Sequence, residues 1–158
     1  MSDAGMRRPS LMRLLSGPNA IDVKTLRTRA DLAGAKVQHE FGPVAGKILE
    51  QLKSQLRGWG DGGAEAHLLQ GFCCSLRDIQ TSSAIACNWQ VERLVGQLLK
   101  SLSSSGAFSS RLRALVELQL NTVAALLHVP MQEDELQLLC REFSSGWALL
   151  ADDSRATR

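Results

Sequence analysis

A chain of 158 residues is long enough for one domain that buries its own core, and leucine supplies 26 of them against 12 for isoleucine and valine together. Tyrosine is absent, so strand-favouring side chains are scarce and helix formers dominate, which excludes a sheet architecture and predicts an all-α fold. The net charge of +2 is too small to signal nucleic acid, and it is unevenly spread: residues 1–57 hold ten Lys/Arg against five Asp/Glu, whereas residues 131–158 hold three against six.

The first twenty residues read as a flexible arm with one helical turn, Ser10 to Leu15, closed by Ser-Gly-Pro-Asn. They lack the long apolar core of a secretory signal. Arg7-Arg8-Pro9-Ser10-Leu11 resembles the substrates of basophilic kinases, which makes Ser10 a candidate phosphorylation site. Leu11-Met12-Arg13-Leu14-Leu15 is a Leu-x-x-Leu-Leu pattern, similar to the short helices that coactivators insert into nuclear-receptor grooves. Leu11, Leu14 and Leu15 are therefore candidate partner contacts.

From Asp22 a helical pattern runs through Val23, Leu26, Ala30, Ala33 and Val37 to Phe41. Pro43 predicts a kink or a restart, because proline has no N–H to give the preceding turn. The pattern resumes through Val44, Ile48, Leu52, Leu56 and Trp59 and stops at Gly58-Trp59-Gly60-Asp61-Gly62-Gly63. A further helix starts near Ala64 and uses Leu68, Leu69, Phe72, Cys73, Leu76 and Ile79. Glu65 and His67 would diverge on it. Asn88 is placed to cap a renewed helix carrying Val91, Leu94, Val95, Leu98, Leu99 and Leu102, although pattern alone leaves one helix or two open between residues 64 and 103. After a serine-rich linker, Ser109 or Ser110 caps a helix from Arg111 to His128, with Leu112, Leu115, Val116, Gln119, Val123, Leu126 and Leu127 on one face. The last helix opens on Gln-Glu-Asp-Glu, acids that suit the positive end of a helix dipole, and carries Leu136, Leu139, Cys140, Phe143, Trp147 and Leu150.

The expectation is a bundle of four to six amphipathic helices with short loops over residues 21–151, preceded by the arm (1–20) and followed by a disordered tail (152–158). No apolar run approaches the roughly 18 residues of a membrane span. An intracellular protein, cytoplasmic or nuclear, is expected, and Cys73, Cys74, Cys87 and Cys140 then count as thiols.

Little of this is chemistry. His39, His67 and His128 are scattered, no Cys-x-x-Cys occurs, and no phosphate loop is present, so neither metal nor cofactor is expected. A thiol enzyme built from Cys73 or Cys74 with His128 is outweighed by buried thiols in a leucine core. The segment Leu52 to Asp61, with Leu52, Leu56 and Trp59 ahead of Gly60-Asp61, resembles the death-motif helix of the B-cell-lymphoma family of apoptosis regulators. Asn88-Trp89 and Gly146-Trp147 echo two later motifs of that family. The resemblance implies helix-in-groove binding with Asp61 paired to a partner arginine. It departs from the family at Gly63, where an anchor is due, and at Gln90-Val91, where Gly-Arg is due.

The reading adopted is a non-enzymatic adaptor or small subunit of an intracellular complex that binds other helical protein chains, as a homo- or hetero-oligomer. Apoptosis regulation by groove binding is the alternative. Leucines on adjoining faces (Leu98 with Leu99, Leu118 with Leu120, Leu138 with Leu139) supply apolar surface beyond a simple core. Trp59, Asp61, Trp89 and Trp147 join Leu11, Leu14 and Leu15 as candidate contacts, because aromatic anchors concentrate interface energy.

Overall fold

The computed structural model describes residues 23–60, 65–105 and 109–156. These residues hold five helices and no strand: α1 (Val23–Gly58), α2 (Ala66–Ile85), α3 (Trp89–Ser104), α4 (Ser110–Leu126) and α5 (Glu133–Ala156). The all-α bundle of four to six helices is what the chain forms. No described helix is long and apolar enough to cross a membrane.

α1 does not break at Pro43. It runs through the proline as one helix of 36 residues. Gly42 explains part of this, since the clash that bars helical geometry before proline involves a Cβ that glycine lacks. Pro43 is also exposed, so the carbonyl it leaves without a donor can turn to water.

By chain contacts the protein divides into two units, residues 1–37 and residues 38–158. In the first, every described side chain from Lys24 to Val37 is exposed. Ala30, Ala33 and Val37, expected on a core face, are therefore not core residues.

In the second unit the core is continuous. It takes Phe41, Leu49, Leu52, Leu56 and Trp59 from α1 and its end, Phe72, Leu76 and Ile79 from α2, and Leu136, Phe143 and Trp147 from α5. α3 is the central helix, with packing neighbours in α2, α4 and α5. Val91, Leu94, Val95, Leu98, Leu99 and Leu102 are all buried and form one broad apolar stripe at i, i+3, i+4, i+7, i+8 and i+11. Leu98 and Leu99 are thus not spare surface; three neighbouring helices pack on α3. Leu120 is likewise core, whereas Leu118 and Leu138 stay exposed.

Glutamines make the cross-links. Gln90 holds the α4–α5 loop in both directions, its Nε2 donating to the Met131 carbonyl (2.6 Å) and its Oε1 accepting from the Met131 N–H (3.0 Å). Gln97 Nε2 donates to the Cys140 carbonyl and to Ser144 Oγ, both at 2.7 Å, joining α3 to α5. Gln119, fully buried on α4, accepts from Trp147 Nε1 (3.2 Å) and donates to the Leu94 carbonyl (3.4 Å).

Residues 64–103 resolve into two helices. At the end of α2 the Cys87 N–H bonds the Ala84 carbonyl (3.1 Å) and the Asn88 N–H bonds the Ser83 carbonyl (2.8 Å). This is the double bond pattern of a Schellman stop, and Cys87 sits at its left-handed position with φ 56°. Asn88 then caps α3 by accepting from the Val91 N–H (3.3 Å). Ser109 caps α4 in the same way through the Leu112 N–H (3.1 Å). At the last helix Glu135 reaches back to the Gln132 N–H (3.4 Å). α5 continues to Ala156, past the expected end of the bundle at residue 151, since no glycine or proline interrupts it after Trp147.

Cys87 occupies a position that glycine fills at far less steric cost. Cys87→Gly should raise unfolding stability by about 0.5–1 kcal/mol, the left-handed strain removed less the added freedom of the unfolded chain. Urea denaturation monitored by circular dichroism would show this as a higher midpoint at unchanged slope.

Candidate partner-binding surface

The three tryptophans do not share a role. Trp59 is 6% exposed and its ring lies 5.1 Å from that of Phe72, centroid to centroid. Its carbonyl accepts a hydrogen bond from Arg113 on α4. Trp147 is 8% exposed and spends its ring N–H on Gln119. Both were expected as partner contacts, and both are core residues whose indoles are committed inside the protein. Trp89 differs. At the first position of α3 it is 45% exposed.

Trp89 lies on the wall of a cleft of about 340 Å³ at the α2–α3 corner. Phe41, Leu126, Leu127 and Pro130 contribute apolar wall, and Gln38, Asn88 and Gln90 contribute polar groups. No Lys, Arg, Asp or Glu lines it. Each element brings its share for a local reason: the Schellman stop turns the chain so that Trp89 follows directly on the capping Asn88, and the end of α4 supplies Leu126 and Leu127. The cleft is suited to apolar and hydrogen-bonding groups.

Cys87 and His128, both exposed, also line this cleft. The sequence considered His128 only beside Cys73 or Cys74, because the backbone turn that brings Cys87 to this corner has no spacing signature. Among the described residues no group of three or more His, Cys, Asp or Glu could hold a metal ion. Cys73 and Cys140 are half-buried, and burial pushes both thiols above their usual pKa; Arg77 partly opposes this at Cys73 and Arg93 at Cys140. A raised pKa lowers the thiolate fraction near neutral pH, which is the opposite of what a nucleophile needs.

A second, open hollow lies between α3 and α5, lined by Arg93, Gln97, Cys140, Arg141, Ser144 and Ser145. Gln97 Oε1 is buried beneath it without a hydrogen-bond partner. Arg93 reaches Glu133 at 3.5 Å, and Arg57 at the end of α1 reaches Glu117 on α4 at 2.9 Å. Exposed pairs of this kind are worth roughly 0–1 kcal/mol. Glu65 and His67, expected to diverge, approach to 3.3 Å. Glu65 precedes α2 with an extended ψ of 146°, so the two are not yet on one helix.

Of the remaining sequence candidates, Ser10, Leu11, Leu14, Leu15 and Asp61 lie outside the described residues. Leu52 and Leu56, the anchors of the death-motif resemblance, are buried with Trp59 in the protein's own core. No family model matches the chain, and neither a curated protein nor a solved structure does.

The thiols separate by environment. At pH 7.5, iodoacetamide should alkylate Cys74 and Cys87 first, and Cys73 and Cys140 several-fold more slowly until the pH approaches their raised pKa or the protein unfolds. Mass spectrometry of a timed alkylation series reads the order.

Proposed function

We propose that this chain is a non-enzymatic helical protein that acts by binding other proteins, as an adaptor or small subunit of an intracellular complex. The observation that carries the reading is Trp89. A tryptophan about half exposed on the wall of an uncharged cleft resembles an interface anchor awaiting a partner more than a core residue. The other two tryptophans are fully used by the core, so the exposure of Trp89 does not reflect a shortage of apolar surroundings for indoles in this fold.

Leu118, Val129, Leu138 and Leu149, each more than half exposed, add apolar surface outside the core. Scattered exposed leucines are ordinary on any protein and carry less weight than the cleft. The partner that suits the cleft offers an apolar side chain flanked by backbone or amide groups, because the cleft supplies apolar wall with amide donors and acceptors beside it. A helix presenting one such anchor meets that description.

Affinity capture of the tagged chain from its native cells tests this directly. The wild-type chain should bring down a stoichiometric partner, and Trp89→Ala should reduce that recovery at least tenfold while leaving the unfolding free energy within about 1 kcal/mol of wild type, as expected for a half-exposed side chain. A wild-type chain that purifies alone as a monomer would overturn the proposal.

A further inference from the structure

We infer that the exposed face of α1 over residues 24–37 is a docking strip for one amphipathic helix of another protein whose borders are acidic. The inference rests on the protein-binding reading above but uses a different surface from the Trp89 cleft.

At 3.6 residues per turn, Ala30, Ala33 and Val37 fall within about 60° of arc on α1. All three are exposed. In the sequence, Val23 and Leu26 continue the same three-four spacing upstream, which is the seam pattern of two helices packed side by side. Two heptads are too short to hold a free coiled coil, but they suffice as one half of a docked pair. Small residues at 30 and 33, with Gly34 beside them and nothing within 4 Å of where its Cβ would stand, leave room for a partner backbone to come close.

Charge decides what that partner is. Arg27 borders the strip on one side and Arg29 on the other, both exposed. Residues 23–37 hold four basic residues (Lys24, Arg27, Arg29, Lys36) and one acidic residue, Asp31, which lies further round the helix. These borders correspond to the positions that set partner choice in paired helices. A second copy of this chain offers one border acid, Asp22, against Arg27, Arg29 and Lys36 on each helix, so like charges outnumber opposite ones. Glutamate or aspartate on the partner's borders meets Arg27 and Arg29 with opposite charge, and like-charge borders are repelled.

The probe is a synthetic three-heptad peptide with leucine at the seam positions and glutamate at every border position, paired with a twin that carries lysine there. Each peptide repels itself and stays monomeric, so binding to the full-length chain reads cleanly by fluorescence anisotropy. The glutamate peptide should bind and the lysine peptide should not. Binding should weaken as salt rises from about 0.05 to 0.5 M, since screening shortens the reach of exposed charges. Arg27→Glu combined with Arg29→Glu should weaken the glutamate peptide about tenfold and let the lysine peptide bind, with helicity unchanged.

Equal binding of both peptides, binding of neither, or dimerisation of the chain that is abolished by the same double substitution would each overturn the inference. The two proposals fail separately. Failure of the glutamate peptide to bind, with a cellular partner still lost in Trp89→Ala, removes the strip and leaves protein binding intact; no partner on the wild-type chain removes the broader reading.

Discussion

A side-chain amide buried in a leucine core must find partners for both its ends or cost the fold several kcal/mol, and Gln119 meets that constraint at the centre of the bundle. Its oxygen takes the Trp147 ring N–H and its nitrogen reaches the Leu94 carbonyl, so one residue on α4 registers α5 and α3 at once. Apolar packing alone is tolerant of small shifts along a helix axis. A buried amide is not, because a slide of one turn would leave the indole N–H without an acceptor. The leucines supply the driving force for collapse, and Gln119 fixes which arrangement the collapse reaches. Gln90 repeats the device at the α4–α5 loop, whereas Gln97 bonds α5 through its nitrogen alone.

That organisation also decides what is left over. α3 packs against three other helices, and leucines that look surplus in the sequence are needed there for that reason. Trp59 and Trp147 are consumed in the same core. Apolar groups left exposed include Trp89 with its cleft and Ala30, Ala33 and Val37 on α1, besides scattered residues such as Leu118 and Leu138. The first is an anchor with a hydrogen-bonding surround, and the second is a seam with basic borders. They ask for different features in a partner, an inserted apolar side chain in one case and an acidic helix flank in the other. One partner helix-rich enough to offer both, or two partners, would satisfy the surfaces equally.

Helix positions were legible in the sequence because leucine spacing, Asn88, Ser109 and the acidic opening of the last helix all carry local physics. Gln119 was legible as a member of an apolar face, yet its role was not, since nothing in its own helix announces that Trp147 lies opposite. Gln90 and Gln97 left no trace at all, because glutamine is acceptable on any face of a helix. Pro43 misled in the opposite direction: the break it predicts is avoided by Gly42 and by solvent on that side. The exposure of Ala30, Ala33 and Val37 was equally hidden. Periodicity reports that a face is apolar and never says whether this chain or another covers it. The tryptophans were partly legible: Trp59 and Trp147 stand on apolar helix faces and are buried, whereas Trp89 stands off its helix's face and is exposed.

The account holds that the fold completes its core within residues 38–156 and leaves the start of α1 uncovered. Native-state hydrogen exchange on the isolated full-length chain measures this directly, because protection along one continuous helix reports where tertiary packing begins. Amides from Leu49 to Leu56 should exchange only through global unfolding. Those from Arg27 to Lys36 should exchange orders of magnitude faster, with an abrupt rise in protection between Val37 and Ala45. Uniformly high protection along α1 would contradict the account.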